Sequence, residues 1–119
     1  MVTDDILRHL PPLPKTGLLH LFTKHTSCGL CLNENCDPDV RTDMKTIFDR
    51  LVPSRADYEH TLEGEDDMPA HAKSVVSGVS LTIPITDHRL NLGVWQGIYL
   101  CEYRNHGGSR QVVLTVMGE

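Results

Sequence analysis

GIYLCEYRNHGGSRQVVLTVM, Gly97–Met117, sets two apolar runs on either side of a glycine turn. GIYLCEYR (Gly97–Arg104) and RQVVLTVM (Arg110–Met117) alternate or run apolar as strands do, and NHGGS between them carries turn residues. Upstream, SLTIPI (Ser80–Ile85) has the same two-residue period, with TDHRLN as the next turn. Before it, MPAHAKSVVSG reads as a helix opened by Pro69 and closed by Gly78. SRADYEHTLEGEDD is a long polar loop. CDPDVRTDMKTIFDRLVP is a helix with Asp37 as its cap, Pro38 as its first residue and Pro53 as its stop. Val40, Met44, Ile47, Phe48 and Leu51 make one apolar stripe along it. GLLHLF (Gly17–Phe22) and GLCLNE (Gly29–Glu34) read as strands. Thr3 can cap a short first helix with Ile6, Leu7 and Leu10 on one side, ended by PPLP. The order predicts an α+β fold: a mostly antiparallel, β-sandwich-like core with two or three helices and hairpin-like turns.

The 119 residues suit a single domain spanning 1–119, which buries about two-thirds of its unfolded surface without a disulfide staple. A net charge of -5 argues against the basic field on which general nucleic-acid binding rests, so no nucleic-acid partner is expected. No apolar run approaches the roughly 18 residues of a membrane span, so no membrane partner is expected either. The acidic start MVTDDILRHL lacks a signal peptide's basic end, so a cytoplasmic location with reduced cysteines is the expectation.

Cysteine spacing invites over-reading. CGLC, Cys28–Cys31, lacks a second pair to complete a zinc site, since Cys36 and Cys101 do not form one. A thioredoxin-type motif opens a helix, whereas these cysteines fall in a strand, where residues three apart face opposite sides. Plain packing cysteines are expected.

Three other clusters are richer. HTS, His25–Ser27, precedes a strand, and Asn33, Glu34 and Asn35 follow it; small hydroxyls and amides at strand ends can bind phosphate, and they also serve as ordinary turn and cap residues. His25 suits a ligand role and a satisfied, half-buried histidine equally well. In CEYRNHGGSR, Glu102 and Arg104 share a strand face with Gln96, Ile98 and Leu100, and Arg104 and Arg110 offer guanidinium forks to phosphate. A surface Glu–Arg pair with a glycine turn would use the same residues. In GEDDMPAH, Gly64–His71, acids before a helix gain about 0.3–1 kcal/mol each from its dipole, which suits Asp66 as the helix-start residue. That leaves Glu65 and Asp67 for chemistry, with His71 one turn into the helix beside Asp67. Carboxylate-supported histidines recur around metals. His25, His71 and His106 would make an open metal site if the fold gathers them, although no dense metal motif is present.

From about Gly17 to Glu119 the chain resembles the YjbQ family, through HTS, NENCDPDVRTDM (Asn33–Met44), HTLEGEDDMPAH (His60–His71), SLTIPIT, GVWQGIYLCEYRNHGGSR (Gly93–Arg110) and the terminal GE. The resemblance implies a β-sandwich-like α+β fold and a homotrimer. It implies His25, His71 and His106 as metal candidates, and Glu65, Asp67, Glu102 and Arg104 as neighbours acting on protons or phosphate. The family usually has a strand before the first helix; here that segment is missing or the chain begins late, which raises the question of what covers the sheet edge. GVWQG stands where GTWQG is usual, with Val94 for a hydroxyl, and TDHR stands for TNGR.

The activity implied is a secondary thiamine-phosphate synthase: a pyrimidine-methyl diphosphate joins a thiazole phosphate, and diphosphate leaves. That chemistry needs a divalent ion, Mg²⁺ or a transition metal such as Zn²⁺, or arginines to take up the leaving charge. Glu65, Asp67 and Glu102 are the expected catalytic groups. Ser27, Asn33, Arg104 and Arg110 are the expected contacts to a small phosphorylated metabolite. Trp95 is expected in the core. The rival expectations are a metal-dependent hydrolase of a small metabolite and a non-enzymatic metal- or small-molecule-binding trimer.

Overall fold

A computed structural model describes residues 1–55 and 57–119. Strand β1 (Thr16–Thr23) sets the frame, because its period of two is realised in burial: Leu19, Leu21 and Thr23 point inward, and His20 and Phe22 outward. β1 pairs antiparallel on one side with β3 (Ser80–Thr86) and on the other with β6 (Val112–Gly118). The two-residue strand β4 (Arg89–Leu90) completes a sheet of order β4-β3-β1-β6. β2 (Cys28–Glu34) and β5 (Gln96–Glu102) form a separate antiparallel pair. Leu19, Leu21, Ile83 and Ile85 from the larger sheet meet Leu30 and Ile98 from the smaller one, with Ile6 closing the cluster. Each such side chain contributes about 1.5–3 kcal/mol relative to exposure. The sandwich-like α+β fold expected from the sequence is therefore present.

NHGGS does not form a hairpin. β5 and β6 lie in different sheets, so this turn carries the chain from one layer to the other. The hairpin forms instead at TDHR, where Asp87 (φ 52°) and His88 (φ 66°) both take the left-handed conformation that a tight two-residue turn requires. Pro84 sits inside β3 without breaking it. Its carbonyl accepts from Asn91 N, so its backbone polar edge points away from β1, and the missing N–H costs no bond to that strand.

Helix α1 (Thr3–His9) covers the edge of β5. Val2 N donates to Ile98 O, and Ile98 N donates to Thr3 Oγ1. The Thr3 hydroxyl thus serves the strand, and its expected capping role is not taken up. Helix α2 (Pro38–Leu51) has the expected cap, Asp37, which accepts from Asp39 N. Its apolar stripe is not packed into the core: no α2 residue is buried, and Leu51 is 69% exposed. The helix instead stands off the outer face of β2 and β5 across an open cleft of about 1110 Å³. Phe48 stacks on Tyr103 and Asp49 pairs with Lys73 to hold it there. Trp95, expected in the core, is 60% exposed.

Helix α3 (Asp67–Ser77) packs on β2. Ser74 Oγ donates to Cys28 O, and Leu30 N donates to Gly78 O. A Cβ on Gly29 would lie 2.0 Å from Ser77 Oγ, so the close approach of α3 needs glycine at that position. Among the described residues, no helix is long and apolar enough to cross a membrane.

Candidate metal centre

The polar loop and the first turn of α3 meet at Asp67. Asp66 occupies the N-cap position at the helix start, as expected, although its side chain makes no capping bond. Its carboxylate instead accepts from Arg104 Nε at 3.0 Å and from Asn105 N at 2.8 Å. Arg104 also donates to Asp67 Oδ1 at 2.7 Å and to Glu63 O at 2.9 Å. One guanidinium fork thus clamps the loop to the end of β5. It is anchored to carboxylates, and the expected free phosphate contact is already engaged.

Asp67 is only 2% exposed at its side chain. Its Oδ1 belongs to Arg104, and its Oδ2 faces two histidines: His60 Nε2 at 2.5 Å and His71 Nε2 at 3.1 Å. Burial pushes the Asp67 carboxyl up. The hydrogen bond from His60 and the charges of His71 and Arg104 outweigh it and hold the group below the usual carboxylate range.

His71 is oriented from its other nitrogen. Nδ1 lies 2.8 Å from Thr26 O, and a carbonyl only accepts, so Nδ1 carries the proton. In the neutral ring the lone pair is then on Nε2, aimed at the Asp67 oxygen. Two acceptors facing each other at 3.1 Å need a proton between them or a cation shared with the carboxylate. His60, Asp67 and His71 each offer a ligand atom, all within 4.8 Å of one another, and no other such group of three occurs among the described residues. Two imidazoles and a carboxylate, with a backbone carbonyl fixing one ring, are a donor set suited to a divalent transition metal with open positions. His60 lines a pocket of about 260 Å³ together with Arg55, Tyr58 and Glu65.

Of the three histidines expected to hold a metal, only His71 belongs to this group. His25 Nε2 accepts from Gln111 N at 2.8 Å and serves the start of β6. His106 lies exposed in the turn after Arg104, outside the cluster. Asp67, expected as a catalytic group, lies at the centre of this cluster between His60 and His71. His60 is the member of the group that spacing does not single out. Its signal lay in HTLEGEDDMPAH, where Asp67 and His71 stand i,i+4 on a helix face and His60 is the next imidazole upstream.

Glu102 and Arg110 form a second cluster. Arg110 donates through Nε to Glu102 Oε1 at 2.7 Å and through Nη2 to Oε2 at 2.5 Å, and also to Ser27 Oγ at 3.0 Å. The hydrogen bonds from Arg110 hold the Glu102 carboxyl down against the effect of burial. A Cβ on Gly107 would strike that carboxylate at 2.1 Å, which accounts for glycine in the turn. Thr26 fixes His71 and Ser27 meets Arg110, so the HTS segment links the two clusters. Asn33 accepts from Glu34 N and lines the large cleft, whose wall Asp66, Glu102 and Arg104 also reach.

The whole chain, residues 1–119, matches the family model described as UPF0047 protein YjbQ-like. The UPF0047 protein YjbQ of Salmonella typhimurium is 55% identical over 121 residues, covering 100% of this chain and 88% of the relative. The UPF0047 protein YugU of Bacillus subtilis is 40% identical, covering 83% of this chain and 77% of the relative. A solved structure of a conserved hypothetical protein from Thermus thermophilus matches with a TM-score of 0.86 at 34% identity, over 98% of this chain and 88% of that one. An uncharacterised YjbQ/UPF0047 protein from Clostridium acetobutylicum matches with a TM-score of 0.81 at 32% identity, over 98% and 88%. The chain belongs to the YjbQ-like UPF0047 family.

Proposed function

We propose that this chain is a metal-dependent hydrolase of a small phosphorylated metabolite, with His60, Asp67 and His71 holding a divalent transition metal. The observation that carries the reading is the His71 ring, whose Nε2 lone pair is turned toward Asp67 Oδ2 by the Thr26 carbonyl. A bound divalent cation would make water acidic and polarise a phosphoryl oxygen. The chain's own groups do the rest. Arg104 keeps Asp67 ionised and fixed through Oδ1. Glu65, beside His60 in the small pocket, accepts the proton released from water, and Arg55, which lines the same pocket, is paired with Asp57 and would have to exchange that carboxylate for a phosphate. Assembly as a homotrimer, which the family resemblance implies, is part of the same proposal.

The test is metal analysis of the purified protein, followed by phosphate release from a panel of small phosphate esters with Zn²⁺, Mn²⁺ or Mg²⁺. The expected result is one tightly held transition metal per chain and turnover lost in His60→Ala and His71→Ala. Binding without turnover of any substrate would favour the non-enzymatic binding protein. No metal retention at all would remove the proposal.

A second reading, thiamine-phosphate synthase-like transfer, is favoured by the large cleft. Phe48 and Tyr103 line it and suit a flat heterocycle, and Lys73 reaches the same wall. Against it, Arg104 and Arg110 are both committed to carboxylates that a diphosphate would have to displace. Incubating both half-substrates with Mg²⁺ separates the readings: thiamine phosphate formed above a His71→Ala control supports transfer.

A further inference from the structure

The CGLC motif hides a thiol pair that its spacing does not reveal. β2 and β5 pair Gly29 with Cys101 and Cys31 with Tyr99, so Cys31 and Cys101 are diagonal neighbours on the same face. Their Sγ atoms are 3.5 Å apart. That face is the outer one, and both cysteines line the wall of the large cleft, within reach of a small reagent. Cys28 is turned the other way, buried, with its Sγ 3.3 Å from Thr23 Oγ1. Cys36 is exposed at the start of α2. Of the four thiols, only Cys31 and Cys101 are hydrogen-bonded to each other.

We propose that Cys31 and Cys101 are a reversible thiol-oxidation site that closes to a β2–β5 disulfide in reaction with low-molecular-weight disulfides. The two thiols are unequal. The hydrogen bond from Cys31 outweighs burial and draws the Cys101 thiol down to about 7, while the same contact and burial push the Cys31 thiol up. Cys101 is therefore the attacking sulfur. Its thiolate attacks one sulfur of the small disulfide, breaks that S–S bond and expels one thiolate, leaving a mixed disulfide on Cys101. Cys31 then gives up its proton and attacks Cys101 Sγ, expelling the second small thiolate. The protein loses two thiol hydrogens as two protons and two electrons, and the small disulfide is reduced to two thiols. Closing the bond brings the sulfurs from 3.5 Å to about 2.05 Å, which side-chain rotation and a small strand adjustment supply. A bond made across a diagonal pair is under tension, so excess dithiothreitol returns both thiols.

The experiment uses the full chain carrying Cys36→Ser, which removes the exposed background thiol. The folded protein is equilibrated with oxidised glutathione, quenched in acid, alkylated and mapped by peptide mass spectrometry. The expected product is a Cys31–Cys101 cross-link that dithiothreitol reverses. Adding Cys31→Ser should stop the reaction with glutathione trapped on Cys101. Adding Cys101→Ser should abolish the cross-link. Circular dichroism confirms that each variant is folded. Cys31 and Cys101 both recovered as free thiols, or a cross-link through Cys28, would each overturn the proposal.

Discussion

The carbonyl oxygen of Thr26 lies 2.8 Å from Nδ1 of His71, 45 residues further along the chain. A backbone group before β2 thereby selects the tautomer of a side chain on α3, and Nε2 is left to face Asp67. If that nitrogen is a metal ligand, His71→Ala should lower Zn²⁺ affinity by more than the roughly 10–100-fold typical of losing an outer partner. Competition with a chromophoric chelator measures it. Affinity unchanged in His71→Ala, with the fold intact, would falsify the ligand assignment.

Arg104 gives the second prediction. Replacing it with methionine leaves the buried Asp67 Oδ1 and the Asp66 carboxylate without their cation. Leaving the Asp67 carboxylate without its cation destabilises the fold, and the solvent access that Arg104 retains moderates the loss. Arg104→Lys keeps the charge but loses the fork, so its loss should fall between wild type and methionine. Urea denaturation reads both. Equal losses in the two variants would mean that the fork geometry contributes nothing.

Much of this was open to inspection in the sequence. Leu19 and Leu21 alternate with outward residues, and Ile83 and Ile85 do the same, so the inner faces of β1 and β3 could be assigned by period alone. Asp37–Pro38 marked the start of α2 through local capping chemistry. What stayed hidden depends on long-range pairing. Nothing local says that β5 joins β2 while β6 joins β1, so NHGGS read as a hairpin. The stripe on α2 is a sound helix signal, but period does not tell whether a helix lies against the core or across a cleft. The site divides in the same way. Asp67 and His71 are helix neighbours and could be paired by spacing. His60 enters from an aperiodic loop, and its approach depends on Arg104 clamping Glu63, Asp66 and Asp67.

Gly29 tests the packing of α3 on β2. An alanine Cβ there would lie 2.0 Å from Ser77 Oγ and 2.9 Å from Gly78 O, and the second neighbour is backbone that cannot rotate away. Gly29→Ala should destabilise by about 1–3 kcal/mol, as overpacking does. Adding Ser77→Ala relieves only the side-chain clash, so rescue should be partial. Thermal denaturation of the single and double variants decides it, and full rescue would show that the backbone of α3 shifts freely.

The Glu102–Arg110 pair predicts a pH dependence with a definite sign. The folded protein holds the Glu102 carboxyl below its ordinary value of 4.5, chiefly through Arg110. A depressed carboxyl contributes stability that is fully present above the unfolded value and is lost as pH falls through the folded one. Wild type should therefore exceed Glu102→Gln in Tm at pH 7, with the gap constant down to about pH 5 and shrinking below the unfolded value. The Glu102 side chain is 36% exposed, so solvent and salt weaken the pair, and the gap should also narrow in high salt. Gly107→Ala drives a methyl into the same carboxylate and should reproduce part of the loss at pH 7, adding little in a Glu102→Gln background. Melting curves between pH 3 and 7 check both statements. A gap that widens on acidification would show that Glu102 is held by something other than its charge.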